Sequence, residues 1–179
     1  LFRSGINEIG FSPDGRLALT SSLSDNYTAK LWDVQRNMLL QTFVGHTDFI
    51  SCFAFSPDGK SILTGSGELT NTDNTAKLWD ISSGQIIRTF SGHTGFVTAV
   101  AFSPDGKLVL SAGKDQSVKI WDINNGNVLQ NIGNNTDRVP TVCLSPDKKT
   151  MFMGGSHSKL LKLDDGKVVQ TFTGQFVKS

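Results

Sequence analysis

Residues 92–122 read GHTGFVTAVAFSPDGKLVLSAGKDQSVKIWD and decide the fold. Three markers follow one another in this stretch: a Gly-His pair, the turn sequence Ser-Pro-Asp-Gly and a Trp-Asp pair. Residues 96–102 are almost wholly apolar, which is typical of a buried strand. Proline presets φ inside the turn, and glycine accepts positive φ where the chain leaves it. The stretch therefore predicts short strands joined by tight turns.

The same markers recur along the chain, which makes the sequence a tandem repeat. The turn sequence, with Lys in place of Gly in its last copy, stands at 12–15, 56–59, 103–106 and 145–148, giving spacings of 44, 47 and 42 residues. Trp-Asp pairs stand at 32–33, 79–80 and 121–122, and Gly-His pairs at 45–46 and 92–93. We therefore predict four repeats, at about 1–44, 45–91, 92–133 and 134–174.

Each repeat reads as four short strands. In the third repeat they are predicted at 96–102, 107–112, 117–122 and 127–132. One sheet of this size cannot bury both faces alone, so it must stack on similar sheets, and radial stacking gives a β-propeller. We expect an all-β protein of four consecutive four-stranded antiparallel blades that form an arc of a larger ring. A ring completed by a second chain and a closed ring of four blades are the alternatives.

Composition limits the classes of partner. The chain has 17 basic and 16 acidic residues and no basic cluster, which argues against nucleic-acid or membrane binding. No apolar run approaches the roughly 18–20 residues that span a bilayer. The first residues show neither a secretory signal nor an initiator Met, so we expect a cytoplasmic segment of a longer chain. Cys52 and Cys143 fall in non-adjacent repeats and are expected to be core thiols rather than a disulfide.

The Gly-His to Trp-Asp period resembles the WD-repeat β-propeller family over essentially the whole chain. In that family a hydrogen-bonded tetrad holds each blade: the His of Gly-His, a Ser or Thr on the second strand, an Asp in the next loop and the Trp of the third strand. The resemblance implies tetrads of His46, Thr64, Asp73 and Trp79, of His93, Ser111, Asp115 and Trp121, and of Thr20, Asp25 and Trp32 with Phe2 in place of His. In the fourth repeat the positions fall on Asn135, Met153, His157 and Leu163.

A His, a hydroxyl and an Asp in one blade could also suggest a hydrolase triad. The set recurs by repeat, however, and its hydroxyl lies within a strand, whereas a nucleophile needs an exposed oxygen and an oxyanion site. The three histidines stand in separate repeats without metal-ligand spacing, and the turn aspartates are expected to lie far apart. We therefore expect a non-enzymatic protein with no metal or other cofactor.

The family resemblance implies a scaffold that binds other proteins or peptides through its loops. Family contact positions lie three and five residues after the His and one before the Asp. Carried over, they are Phe49, Ser51, Thr72, Phe96, Thr98, Lys114, Asn7, Ser24, Arg138 and Ser156, with Gly5 and Pro140. The alternative function is the regulatory or sensing portion of a multidomain enzyme or signalling protein whose catalytic domain lies outside these residues.

Two features of this surface each allow two interpretations of their role. Phe49 and Phe96 either cap the central channel or serve as exposed aromatic anchors for a partner. The loop at 66–72 makes the span from Thr64 to Asp73 five residues longer than in the third repeat, either as tolerated length or as a recognition loop. Further blades or a second copy are expected to complete the ring.

Overall fold

The computed structural model describes residues 6–22, 26–67, 73–133, 139–155 and 157–173. Within these ranges the chain forms sixteen strands and no helix, and so no helix long and apolar enough to cross a membrane. The strands are β1 (Ile6–Phe11), β2 (Leu17–Ser22), β3 (Ala29–Asp33), β4 (Met38–Phe43), β5 (Ile50–Phe55), β6 (Ser61–Ser66), β7 (Ala76–Asp80), β8 (Ile86–Phe90), β9 (Val97–Phe102), β10 (Leu108–Gly113), β11 (Val118–Asp122), β12 (Val128–Ile132), β13 (Thr141–Leu144), β14 (Thr150–Gly154), β15 (His157–Lys162) and β16 (Val168–Thr173).

The strands form four antiparallel sheets of four strands, each in chain order. We call them blade 1 (β1–β4), blade 2 (β5–β8), blade 3 (β9–β12) and blade 4 (β13–β16). Successive innermost strands contact one another, β1 with β5, β5 with β9 and β9 with β13. The predicted all-β class with four consecutive four-stranded blades is confirmed, and the blades form an arc that is not closed.

The Ser-Pro-Asp turn joins the first two strands of every blade in the same way. In blade 2, the Ser56 hydroxyl donates to Oδ1 of Asp58 at 2.6 Å, and the backbone N–H of Lys60 donates to the same oxygen at 3.0 Å. These donors, with the serine first, lower the pKa of Asp58. The turn aspartates thus have a local structural role. The described part of the chain contains no group of three or more His, Cys, Asp or Glu side chains that could hold a metal ion.

Apolar side chains fill the spaces between blades. Between blades 1 and 2, Leu31 and Phe43 pack with Ile62 and Trp79. A second cluster lies between blades 2 and 3, and a third between blades 3 and 4 includes Leu161. Each sheet therefore buries its faces only against neighbouring sheets, as the size of the repeat requires.

The register of blade 4 corrects one sequence-based alignment. In blade 2, Trp79 lies opposite Ile62, the second residue of β6. The corresponding place in blade 4, opposite Met151, is occupied by Leu161. The prediction that Leu163 takes the Trp position is therefore wrong by two residues, because it ignored a shorter connection between β14 and β15. Leu161 is buried in the cluster shared with blade 3, so an aliphatic side chain does the packing of the missing indole.

The two cysteines have different surroundings. Both thiols are free, and Cys52 is buried as expected whereas Cys143 is exposed. The expectation that Cys143 is a core residue is therefore wrong. Its neighbours Val142 and Leu144 point toward blade 3, so strand alternation turns Cys143 to the opposite face of blade 4, which none of the sheets formed by the described residues covers.

Candidate functional site

A chain of hydrogen bonds crosses blade 2 from strand to loop. The indole N–H of Trp79 donates to Oγ1 of Thr64 at 2.8 Å. Nε2 of His46 lies 2.7 Å from the same oxygen, and Nδ1 lies 2.7 Å from Oδ2 of Asp73. With a neutral imidazole, the Thr64 hydroxyl donates to Nε2 and the Nδ1–H group donates to the carboxylate. The bonds join the loop before β5 to the loop before β7.

The carboxylate of Asp73, at the end of this series of hydrogen bonds, stays charged although it is buried. Asp73 also accepts the backbone N–H of Thr47 at 2.9 Å and the hydroxyl of Thr75 at 2.5 Å. Burial raises the pKa of Asp73, but hydrogen bonds from His46, Thr75 and Thr47 outweigh it and the pKa is lowered. Burial lowers the pKa of His46 by more than the carboxylate raises it, so the imidazole is neutral near pH 7.

Blade 3 repeats the arrangement with serine in place of threonine. His93 lies 2.9 Å from Asp115 through Nδ1 and 2.8 Å from the Ser111 hydroxyl through Nε2. The Trp121 indole donates to that hydroxyl at 2.8 Å. The hydroxyl of Ser117 takes the place of Thr75 and donates to Asp115 at 2.8 Å. Blades 2 and 3 thus contain the same hydrogen-bonded tetrad, with threonine in one and serine in the other.

The tetrad hydroxyls are unsuited to nucleophilic attack. Thr64 and Ser111 are both 0% exposed, so a substrate cannot reach either oxygen.

Blade 1 keeps a part of the tetrad. The Trp32 indole donates to Thr20 at 3.0 Å, while Asp25 lies outside the described residues. The geometry shows side chains that fix loops rather than side chains that face a substrate.

An aromatic pair spans blades 1 and 2 on the face that carries the histidine loops. The ring of half-buried Phe49 meets the ring of Tyr27 edge to face, with centroids 5.3 Å apart. Tyr27 lies in the loop between β2 and β3 and has a φ of 61°. Tyr27 was not among the predicted positions on this face, although a lone tyrosine in a short polar loop was a signal that could have found it.

The equivalent phenylalanine of blade 3 is more enclosed. Phe96 is 9% exposed, and its Cβ lies so close to Gly67 of blade 2 that a Cβ on that glycine would overlap it. The ammonium of exposed Lys114 stands 5.0 Å from the ring centroid, in cation–π range. We call the surface formed by Tyr27, Phe49, Phe96 and Lys114 the aromatic surface.

Three predicted contact positions make hydrogen bonds between neighbouring blades. Each is a polar side chain on an innermost strand that donates to a backbone carbonyl on, or just before, the innermost strand of the next blade. The bonds run from Asn7 to Ile50 at 3.1 Å, from Ser51 to Val97 at 2.5 Å and from Thr98 to Val139 at 2.7 Å. Thr98 is only 7% exposed. These side chains satisfy carbonyls that a strand edge would leave unpaired, which sequence spacing within one repeat did not indicate.

The longer loop of blade 2 begins inside the fold. Ser66 is fully buried in β6, and its hydroxyl donates to the carbonyls of Asp48 and Phe49, each at 2.9 Å. This end of the predicted recognition loop is therefore part of the blade. Five further candidate residues lie outside the described part of the chain, namely Gly5, Ser24, Thr72, Arg138 and Ser156.

A model of a known protein family matches the same repeats that the sequence markers define. The family model described as "WD domain, G-beta repeat" matches residues 2–33, 37–80 and 84–122. These three segments correspond to the repeats that carry Trp-Asp pairs. The matched ranges end before blade 4, where Leu161 replaces the tryptophan.

Curated relatives match over about a third of the chain. This chain is similar to Protein groucho of Drosophila melanogaster, at 41% identity over 64 residues, which is 36% of this chain and 8% of that protein. It is also similar to the guanine nucleotide-binding protein subunit beta of Lymnaea stagnalis, at 34% identity over 62 residues, 35% of this chain and 18% of that protein. The human intraflagellar transport protein 122 homolog is 35% identical over 63 residues, which is 5% of its length. The matches thus span less than a fifth of each relative.

Proposed function

Because the chain belongs to the WD domain, G-beta repeat family, we propose that it is a non-enzymatic scaffold that binds another protein on its aromatic surface. The relatives support a protein-interaction role in general terms. The specific surface is our inference from the geometry. Its single strongest support is the pairing of Tyr27 with Phe49 across two blades, beside the cation over Phe96.

The tetrads make this surface suitable for recognition. His46 and Asp73 fix the loops before β5 and β7, and His93 and Asp115 do the same in blade 3. A surface held by buried hydrogen bonds loses little conformational entropy when a partner binds, so more of the contact energy appears as affinity. Aromatic side chains on rigid supports are the residues that most often dominate such interfaces.

The chemistry of the surface also suggests the partner segment. Lys114 presents an exposed ammonium directly above an aromatic ring, and Phe49 offers part of its ring to solvent. A protein segment that places an acidic side chain next to an apolar one would satisfy both groups. We therefore expect partners with an acidic and apolar recognition motif rather than a basic one.

The experiment compares two faces of the same molecule. Phe49 and Lys114 are changed to Ala together, leaving the enclosed Phe96 in place, and the matched control changes exposed Arg16 and Lys60 on the turn face at the opposite ends of the strands. Proteins captured from a lysate by the unaltered chain are identified, and their affinities for all three chains are measured with purified components. We expect at least a tenfold loss for the first variant and none for the control.

The opposite result is equally informative. If each captured protein binds the Phe49 and Lys114 double variant at full affinity while that variant keeps the native circular dichroism spectrum, the aromatic surface is not the binding site. Loss of affinity only in the Arg16 and Lys60 control would place the site on the turn face instead.

A further inference from the structure

The turn face carries two clefts of the same construction, one between the Ser-Pro-Asp-Gly turns of blades 1 and 2 and one between those of blades 2 and 3. We call them the first and the second cleft, and their volumes are about 320 Å³ and 420 Å³. One water takes up about 30 Å³, so each cleft has room for a long side chain. An aspartate of one turn and the proline and glycine of the next line each cleft, namely Asp14, Pro57 and Gly59 in the first and Asp58, Pro104 and Gly106 in the second.

Each turn aspartate uses one of its two carboxylate oxygens within its own turn. Oδ1 of Asp14 accepts the hydroxyl of Ser12 and the backbone N–H of Arg16, as Oδ1 of Asp58 accepts the equivalent pair. Oδ2 of Asp58 forms no hydrogen bond or ion pair with any of the described residues, and Lys60 bonds to this carboxylate only through its backbone. Oδ2 of Asp14 lies 3.8 Å from Nε of Arg16, but both groups are exposed, so this ion pair contributes little. Each cleft therefore contains a carboxylate oxygen that can accept a cation.

The turns of blades 3 and 4 show which group this second oxygen accepts. In the fourth repeat Lys148 stands where the other turns have glycine, and its ammonium donates to Oδ2 of Asp105 in the neighbouring turn at 2.6 Å. The bond from Lys148, followed by that from Ser103, lowers the pKa of Asp105, so the carboxylate is charged near pH 7. A lysine from the next blade thus already neutralises one turn aspartate inside this molecule.

The corresponding place is open in the first and second clefts. Gly59 and Gly106 have the turn position of Lys148 and bring no side chain to the aspartate of the preceding blade. Beyond its chain neighbours, a Cβ on Gly59 would have no atom within 4 Å, and a Cβ on Gly106 would only touch Cδ of Pro57 at 3.9 Å. The space that a lysine side chain fills beside Asp105 is therefore accessible from outside in both clefts.

We propose that the two clefts bind lysine side chains of a basic segment of another protein, with one ammonium on Oδ2 of Asp14 and one on Oδ2 of Asp58. Each bound lysine takes the place that Lys148 has at Asp105 and lays its methylene groups against the proline of the next turn. The clefts adjoin, because Pro57 and Asp58 line both, so one segment with two lysines can fill them. A single exposed ion pair contributes little, so we expect binding to require both lysines on one segment.

This site differs from the aromatic surface in both place and charge. It lies on the turn face and takes a basic segment, whereas the aromatic surface lies at the opposite ends of the strands and is expected to take an acidic and apolar one. The two sites can therefore be tested separately, and the failure of one does not decide the other.

The probe for the clefts is a capped peptide of four lysines, compared with the same peptide after acetylation of every lysine. Binding to the purified protein is followed by NMR at low ionic strength through the backbone amide signals of Gly59 and Gly106. We expect the lysine peptide to shift both signals and the acetylated peptide, which has no charge, to shift neither. Signals that stay in place with the lysine peptide, or that move equally with both peptides, would overturn the proposal.

One substitution removes the shared wall of the clefts, and a second one controls for net charge. Asp58→Asn keeps an Oδ1 that accepts the local bonds but removes the negative charge, so we expect the affinity for the lysine peptide to fall at least about fivefold. Asp165→Asn removes one charge from an exposed turn outside the clefts and is expected to change the affinity less than about twofold. Equal losses would show that the peptide responds only to net charge and would contradict the proposal.

A third substitution is expected to create a site. Lys148→Gly gives the fourth turn the sequence of the other three, and glycine readily adopts the φ of 57° that Lys148 has. The change also releases Oδ2 of Asp105, so we expect the lysine peptide to bind several times more tightly and to shift the amide signal at position 148 as well. Unchanged affinity and no shift at that position would overturn the proposal, because a vacated turn aspartate would then not accept an external lysine.

Discussion

Asp73 in blade 2 and Glu8 in blade 1 are both withdrawn from solvent, yet their pKa values move in opposite directions. Burial raises the pKa of Asp73, but donors led by the His46 imidazole and the Thr75 hydroxyl outweigh it and lower the pKa. Burial also raises the pKa of Glu8, and a single backbone bond from Phe53 does not compensate, so the pKa reaches about 7. The number of donors that meet the carboxylate, rather than burial alone, decides its charge.

The contrast comes from positions where blade 1 differs from its neighbours. Glu8 on β1 has the place of Cys52 on β5, and Ser21 lies opposite it where Gly65 lies opposite Cys52. Among the described residues, Oε2 of Glu8 and Oγ of Ser21 are buried without a hydrogen-bond partner. Blade 1 thus holds a polar pair where blade 2 has small side chains, and no tetrad-like network surrounds it.

The largest expected effect comes from making Asp73 resemble Glu8. Changing His46 to Ala removes the Nδ1–H donor from Asp73 and leaves the Thr64 hydroxyl without its acceptor. We expect a loss of about 2–4 kcal/mol in the free energy of unfolding, since each buried group left unpaired costs about 1–3 kcal/mol. Urea titration followed by tryptophan fluorescence measures the loss, and an NMR titration should show a raised Asp73 pKa.

The third histidine provides the control for this change. His157 is exposed at the start of β15, in the blade where Leu161 replaces the tetrad tryptophan. Changing it to Ala is expected to alter the unfolding free energy by less than about 0.5 kcal/mol. Equal losses for the two histidines would mean that the bond from His46 to Asp73 does not stabilise blade 2.

A smaller effect is expected from the hydroxyl at the centre of the chain. Thr64→Val keeps the shape of the side chain and leaves Asp73 with its donors, but the Trp79 indole and Nε2 of His46 both lose their partner, at an expected total cost of about 2–3 kcal/mol. The control is Thr20→Val in blade 1. There the half-buried Trp32 indole can turn to water, so we expect about 0.5–1 kcal/mol. A larger loss of unfolding free energy for Thr20→Val than for Thr64→Val would show that the buried hydrogen bonds of the blade 2 tetrad do not reinforce one another.

The sequence predicted what repeats within one blade. Turn chemistry placed the strands of blade 3 within one residue of β9–β12, and the tetrad residues of blades 2 and 3 lie within hydrogen-bonding distance. It did not predict what happens between blades. The side chains of Ser51 and Thr98 bond to the next blade, and spacing within a repeat carries no information about a neighbour's carbonyls. The error at Leu163 arose where a connection changed length without a marker to reveal it.

The smallest effect is expected from Glu8→Gln and depends on pH. The folded pKa of Glu8 is raised from 4.5 to about 7, so Glu8 favours the folded state below pH 4.5 and this contribution is lost as the pH rises through 7. Since the side chain is partly exposed, we expect the free energy of unfolding of the variant to rise by about 1 kcal/mol relative to the unaltered chain between pH 5 and pH 8.

The histidines do not disturb this comparison. His46 and His93, whose pKa values are lowered, make the unfolding free energy change with pH in the opposite direction in both proteins, so the difference between the two pH profiles isolates Glu8. Asp58→Asn is the control, because the lowered pKa of Asp58 confines its titration to more acidic solution. Parallel pH profiles for all three proteins would show that Glu8 remains charged and finds in solution the donors that distinguish Asp73.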